Sequence, residues 1–221
     1  MTKLLDTMRQ RSSAPPDRLP PGQVLTTKWP VLHYGNVPKV DTATWTFDVT
    51  GVVERPFSLT YEELLALPRK TVMCDMHCVT RWSRLDNAFE GVPVQLVLKR
   101  AGVKPAAQYC LVSAEQGFTT NLPLADLDRP DNLIALAWNG EPLTPEHGWP
   151  ARLLVPHLYL WKSAKWVRGF TLLDGDVPGF WEQNGYHMRG DPWKEERYGG
   201  RAITQHEINR LRNLSKKGVS P

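Results

Sequence analysis

Apolar residues in this chain keep a two-residue period in several short stretches and a helical period in a few others, with no regular alternation between the two kinds. Trp45, Phe47 and Val49 alternate with Thr44, Thr46, Asp48 and Thr50, which predicts a half-buried strand ending at Gly51. Thr60-Tyr61-Glu62-Glu63 reads as a capping box ahead of Leu64, Leu65 and Leu67, with Pro68 as the stop. A second helix is expected from Val94 to Ala101, closed by Gly102. Strands are expected at Tyr109–Val112, at Leu133–Trp138 before an Asn139-Gly140 turn, at Arg152–Val155 and at Lys165–Leu173. Short strands and helices mixed without a strand–helix–strand rhythm predict an α+β fold.

The two ends read differently. Ser12-Ser13-Ala14-Pro15-Pro16 and Pro20-Pro21-Gly22 cannot nucleate a helix or a ladder, so residues 1–24 are expected to be a disordered or extended tail. The ordered domain is expected over residues 25–214, ending in an amphipathic helix from Ile203 to Leu214, with 215–221 as a second tail. Residues 174–200 carry Gly, Pro, Trp and Tyr with little periodicity and read as an ordered loop that covers something. Trp181, Tyr186 and Trp193 are expected to be at least partly buried in it.

Composition narrows the class. A chain of 221 residues can bury a full core. Its 27 Lys and Arg against 23 Asp and Glu look basic, but Lys3, Arg9, Arg11, Arg18, Arg210, Arg212, Lys216 and Lys217 sit near the ends. No interior basic run is interleaved with aromatics, which argues against nucleic-acid binding. Three cysteines without paired spacing make no disulfide scaffold. Met1–Gln10 has no apolar segment of the signal-peptide kind, and the run Leu133–Trp138 stops at 6 residues, far short of a membrane span. A cytoplasmic protein without a membrane segment is the expectation.

The chemistry concentrates in Met73-Cys74-Asp75-Met76-His77-Cys78-Val79-Thr80-Arg81-Trp82-Ser83. A thiolate is either a nucleophile or a soft metal ligand, and its neighbours decide which. Structural zinc would need 4 ligands and usually a CxxC knuckle, which is missing; covalent haem needs CxxCH, and here His77 precedes the second Cys. His77 is a poor base for Cys78, because neighbours on an extended chain point to opposite faces. Neither GxGxxG after a strand nor GxxxxGK[ST] occurs. Cys110, inside an apolar strand, reads as a small buried hydrophobe, and Cys74 as structural. Cys78 stands where a strand gives way to a loop that presents a side chain. A second stretch, Trp149 to His157 followed by Trp161-Lys162-Ser163-Ala164-Lys165-Trp166, is a cationic, hydroxyl-bearing loop of the kind that holds a phosphate.

Cys78-Val79-Thr80-Arg81-Trp82-Ser83 resembles the molybdenum-ligating segment of the sulfite oxidase superfamily, and within it most closely that of the methionine-sulfoxide reductase catalytic subunits. Gly148-Trp149-Pro150-Ala151-Arg152-Leu153-Leu154-Val155-Pro156 resembles the superfamily's Gly-x-Pro-x-Arg-x-x-x-Pro, and Lys162 to Trp166 its pterin-phosphate loop. Tyr34-Gly35-Asn36-Val37-Pro38 is similar to an early turn that lines the pterin. These matches lie in family order across roughly residues 25–175.

The resemblance implies a molybdopterin with molybdenum (Mo), Cys78 as metal ligand and catalytic centre, and phosphate contacts from Arg152, Lys162, Ser163 and Lys165. It further implies cofactor contacts from Tyr34, His77, Trp82, Ser83, His157 and Trp166. The activity implied is two-electron oxygen-atom transfer on a small-molecule substrate. Arg81 follows Cys78 by three positions, and Thr80 stands where the reductase carries an acidic residue, so neither known substrate follows. No segment corresponds to the haem or dimerisation domains of sulfite oxidases. A monomer served by a separate redox electron partner is therefore expected. The other reading is a non-catalytic binding or metal-storage protein that has kept the fold.

Overall fold

Eleven strands form two mixed sheets joined by short helices in the computed structural model, which describes residues 17–199. The first sheet holds β1 (Val24–Leu25), β4 (Lys70–His77), β5 (Trp82–Pro93), β8 (Leu133–Trp138), β9 (Glu141–Pro142) and β10 (Arg152–Leu154). The second runs β3 (Phe57–Thr60), β2 (Thr46–Gly51), β11 (Val167–Leu173), β6 (Tyr109–Ala114), β7 (Thr119–Pro123). Pairing is antiparallel except for β1 on β5 and β11 on β2. This is the α+β arrangement expected from the sequence.

The elements follow local chemistry. The capping box starts α1 (Tyr61–Leu65): the Thr60 hydroxyl accepts from Glu63 N, and the Glu63 carboxylate accepts from Thr60 N. Helix α2 (Val94–Ala101) ends on Gly102, whose φ of 65° is the left-handed cap that glycine adopts without a Cβ penalty. Two one-turn helices, α3 (Leu124–Leu127) and α4 (Phe180–Gln183), complete the set.

The main core lies between the sheets and includes Trp45, Phe47, Leu59, Leu98, Leu122, Ile134, Leu153 and Phe170. On the other face of the first sheet, Met76, Phe89, Leu133, Ala135, Leu143 and Leu154 form a smaller cluster against Trp29, Trp82 and Trp138. Alternation along β8 and β10 sends Ile134 and Leu153 to the first cluster and Ala135 and Leu154 to the second. Arg152, opposite Ala135 in the ladder, shares the side of the smaller cluster.

Ordered contacts begin before the position expected from the sequence. Arg18 makes a two-point ion pair with Asp75 (2.6 and 2.9 Å), and Pro20 and Gln23 are buried, so this part of the proposed tail packs on the hairpin of β4 and β5. Trp193, expected to be partly buried, is 46% exposed. The expected helix Ile203–Leu214 lies outside the described residues. Among those described, no helix is long and apolar enough to cross a membrane.

Candidate active site

Strands β4 and β5 are joined by the turn Cys78-Val79-Thr80-Arg81. Cys78 N donates to Trp82 O (2.9 Å) and Arg81 N to Cys78 O (3.0 Å). Arg81 closes the turn at φ 71°, the left-handed step that follows a tight turn in short hairpin loops. Cys78 therefore stands at the head of a hairpin, buried at 8% exposure, on the wall of a cavity of about 370 Å³. The Thr80 hydroxyl donates to its sulfur at 3.1 Å. Burial pushes the Cys78 thiol above its usual range, while the Thr80 hydroxyl and N–H and the charges of Arg197 and Lys165 work the other way.

The pleat sends the flanking residues away from the cavity. His77 and Ser83 face each other across the ladder, with His77 Nδ1 2.8 Å from Ser83 Oγ, both buried. Burial pushes the imidazole down to about 4, with Asp75 opposing, so the ring is neutral. His77 and Ser83, expected at the cofactor, brace the hairpin instead; Trp82, between them in the alternation, lines the cavity.

The same cavity carries two cations. Arg152 is 2% exposed and spends two nitrogens on backbone carbonyls, Nη1 on His147 (3.0 Å) and Nη2 on Ser163 (2.9 Å). Its Nε is buried with no partner among the described residues. Burial lowers its pKa to about 10, Cys74 opposing. Lys165 Nζ donates to Leu32 O (2.9 Å) and Glu146 O (2.6 Å). Burial, then the neighbouring Arg152, push it down to about 7, with Cys78 and Glu146 opposing. Trp166, at φ 53°, donates from Nε1 to Pro145 O, and the Ser163 hydroxyl accepts from Val155 N (2.9 Å).

Seven of the eleven site residues expected from the sequence line this cavity: Cys78, Tyr34, Trp82, Arg152, Ser163, Lys165 and Trp166. Besides His77 and Ser83, two more do not. Lys162, expected on the phosphate, is fully buried elsewhere. Its Nζ donates to Glu182 Oε1 (2.5 Å), to Asn121 O and Oδ1 (both 2.8 Å) and to Met188 O (2.6 Å). His157 Nε2 lies 3.0 Å from Asp126 Oδ1, and Arg189 clasps the same carboxylate. Burial alone would raise the Asp126 pKa, but its bonds to His157 and Arg189 hold it below the usual carboxylate range. Both residues therefore fasten the loop after Leu173 to the body of the protein.

Sequence reasoning missed Trp29, His33, Phe118 and Trp161, which complete the walls with Trp181 and Tyr186. The aromatic richness of 174–200 was the visible signal for the last two. Trp29 lies in a segment without regular structure, stacked on His147 at 4.0 Å between ring centres.

The donor set suits one kind of occupant. The Cys78 sulfur shares the cavity with a buried guanidinium whose Nε has no partner among the described residues and with an ammonium that donates to two backbone carbonyls. An anionic group would satisfy both cations by charge-assisted hydrogen bonds, while the sulfur meets a soft metal. A molybdenum-bearing pterin with a phosphate tail fits these residues.

Comparison with known proteins agrees. The family model described as "Oxidoreductase molybdopterin binding domain" matches residues 34–181. The chain is 51% identical over 86% of its length to an uncharacterized oxidoreductase, YuiH, of Bacillus subtilis, spanning 96% of that protein. It is 30% identical over 69% of its length to the protein-methionine-sulfoxide reductase catalytic subunit MsrP of Gluconobacter oxydans, spanning 59% of it. The crystal structure of the sulfane dehydrogenase SoxCD from Paracoccus pantotrophus superposes with a TM-score of 0.61 at 27% identity. That match covers 66% of this chain and 42% of the other. Because the matched stretch takes in both the hairpin that carries Cys78 and the two cations that share its cavity, the chain belongs to the sulfite-oxidase-type molybdopterin-binding oxidoreductases, and its cofactor is molybdopterin with molybdenum.

Proposed function

We propose that this protein is an oxidoreductase in which the Cys78 thiolate ligates molybdenum and a small substrate exchanges an oxygen atom there. The observation that carries the reading is the placement of the Cys78 sulfur on the same cavity as Arg152 and Lys165. When bound, the cofactor supplies a two-electron redox change coupled to passage of an oxygen atom between water and substrate. The chain's own groups do the rest. The Thr80 hydroxyl, donating to the sulfur, tempers the electron density that Cys78 gives to a metal. Arg152 and Lys165 hold the phosphate and so fix the cofactor's register against Cys78. The aromatic wall of Phe118, Trp161, Trp181 and Tyr186 restricts water beside the reacting centre.

One relative is named a reductase and the solved neighbour a dehydrogenase, so direction and substrate do not carry over by likeness. The sequence has no CxxCH and no cysteine set for an iron–sulfur cluster. We therefore assign the return of electrons to a separate redox partner docking over the cavity. The test is Cys78→Ser in protein made by a cofactor-competent host. A serine oxygen is a harder ligand than a thiolate, so turnover with an artificial dye should fall to background while circular dichroism and thermal unfolding stay near wild type. Normal turnover in Cys78→Ser would remove Cys78 from the reaction.

A further inference from the structure

Two segments far apart in sequence meet behind the Cys78 turn. The stretch leading into β1 reaches it first: Gln23 Nε2 donates to Cys78 O at 3.1 Å, and Val24, the first residue of the strand, donates from N to Arg81 O at 2.9 Å. The loop after α4 reaches it second: Arg197 Nη1 donates to Val79 O at 2.7 Å. Gly22 marks the junction. At its φ of 67°, a Cβ would stand 3.0 Å from Arg81 Nη1, 2.7 Å from Glu195 Oε1 and 3.4 Å from Arg197 Nη2. The turn is thus held at successive carbonyls, Cys78 and Val79, by side chains from opposite ends of the described chain. Gln23 and Arg197 both lie outside the stretch that matches the family model.

Arg197 is unusual for a residue that only closes a loop. Its side chain is 6% exposed, its Nε is buried with no partner among the described residues, and its guanidinium lies 4.9 Å over the Tyr159 ring. Its acidic neighbour Glu195 is 3.7 Å away and 47% exposed, too loose to neutralise it as a two-point pair would. Burying an arginine this way carries a desolvation cost that an apolar residue sealing the same gap would avoid. The charge is near enough to act on the Cys78 sulfur. Arg197 is also fixed to the wall-forming loop, because Arg197 O accepts from His187 N (3.2 Å) and Tyr198 bridges Tyr186.

We propose that Arg197 is a positioning residue for the metal-ligand turn, setting the direction of the Cys78 sulfur through Val79 O and the electron affinity of the metal through its buried charge. It lies outside the set of residues that line the cavity. The inference rests on the reading of Cys78 as the ligand. A fixed positive charge near a metal–thiolate unit stabilises the reduced, more negative state, and groups that orient a ligand tune the metal it binds. Arg197 should therefore raise the reduction potential.

The test uses cofactor-loaded wild-type, Arg197→Lys, Arg197→Met and Cys78→Ser proteins. Molybdenum content is measured on each, with an EPR-monitored redox titration of the metal. Arg197→Met should keep most of its molybdenum, shift the midpoint potential downward and alter the paramagnetic signal. Arg197→Lys, which keeps a charged donor, should restore the potential towards wild type. Should Arg197→Met not accumulate, Arg197→Gln, neutral but able to donate to Val79 O, should show the same downward shift. Wild-type potential and signal in the neutral variant would overturn the positioning role. In that case, a changed signal in Cys78→Ser would leave the ligand assignment standing. A wild-type signal in Cys78→Ser would overturn the ligand assignment, and the inference with it.

Discussion

The His77 ring sits inside the β4–β5 hairpin, bonded to Ser83 and closed off from water, and has no room for a second proton's hydration. With its pKa near 4 against an ordinary 6.5, the unfolded chain binds more protons than the folded one between those values. Stability therefore rises with pH across that window and is lost as pH falls from 6.5 towards 4. The loss amounts to about 3 kcal/mol once both states are protonated. Urea denaturation at pH about 4.5 and about 7 should show this slope in wild type. His77→Gln, which has no proton to gain, should show a flatter one. Equal slopes would place the acid sensitivity elsewhere. The same alternation that turns His77 inward turns Cys78 to the cavity, so a one-residue slip of register would exchange their places.

At the scale of elements, the sequence was legible wherever apolar character tracked burial. Strands β2, β8 and β11 and helices α1 and α2 fall where alternation, capping box and terminal glycine predicted them. Strand β5 was not legible, because the positions it buries include Ser83 and Asn87. Asn87 satisfies itself on the carbonyls of Cys74 and Arg84 and accepts from Trp138 Nε1, beside a bulge between Cys74 and Met76. Polar residues that are fully bonded leave no hydrophobic period to read. Strand β7 is obscured likewise by buried Thr120 and Asn121. Lys162 failed for a related reason: its partners Asn121 and Glu182 are 41 and 20 residues away, so nothing local marks it as a core ion pair. Burial pulls the Lys162 pKa down while Glu182 restores it. Lys162→Met should destabilise the fold by about 3–5 kcal/mol, since it strands the Glu182 carboxylate. Lys162→Met with Glu182→Leu should recover a good part of that in denaturant unfolding. Cofactor content per folded molecule should hardly change in either variant, and its loss at unchanged stability would return Lys162 to the cofactor.

The whole molecule carries a cost when its cavity holds no anion. Lys165, with a pKa near 7 against an ordinary 10.5, binds fewer protons folded than unfolded above neutrality. The cofactor-free protein should therefore gain stability as pH rises from about 7 to about 9. Above that, thiols such as Cys74, pushed up to about 12 by burial, act in the opposite sense. A bound phosphate would restore the ammonium. The loaded protein should accordingly show a smaller slope and a higher melting temperature, because a ligand that binds only the native state adds its binding energy to stability. Thermal unfolding of both forms, with Lys165→Met as the flat control for the cofactor-free one, measures this. Identical slopes would remove Lys165 from the phosphate.

The walls of the cavity run from Trp29 to Tyr186, and they take in the Cys78 hairpin of one sheet and Phe118 from the edge of the other. No contiguous segment owns enough of it to grip a ligand alone. The pterin is thus a guest of the finished fold and cannot be its template. Chain closure over long sequence separations must come first. The polypeptide must then stand folded, with the buried Arg152 and the half-buried Lys165 resting on backbone carbonyls, for as long as it waits to be loaded.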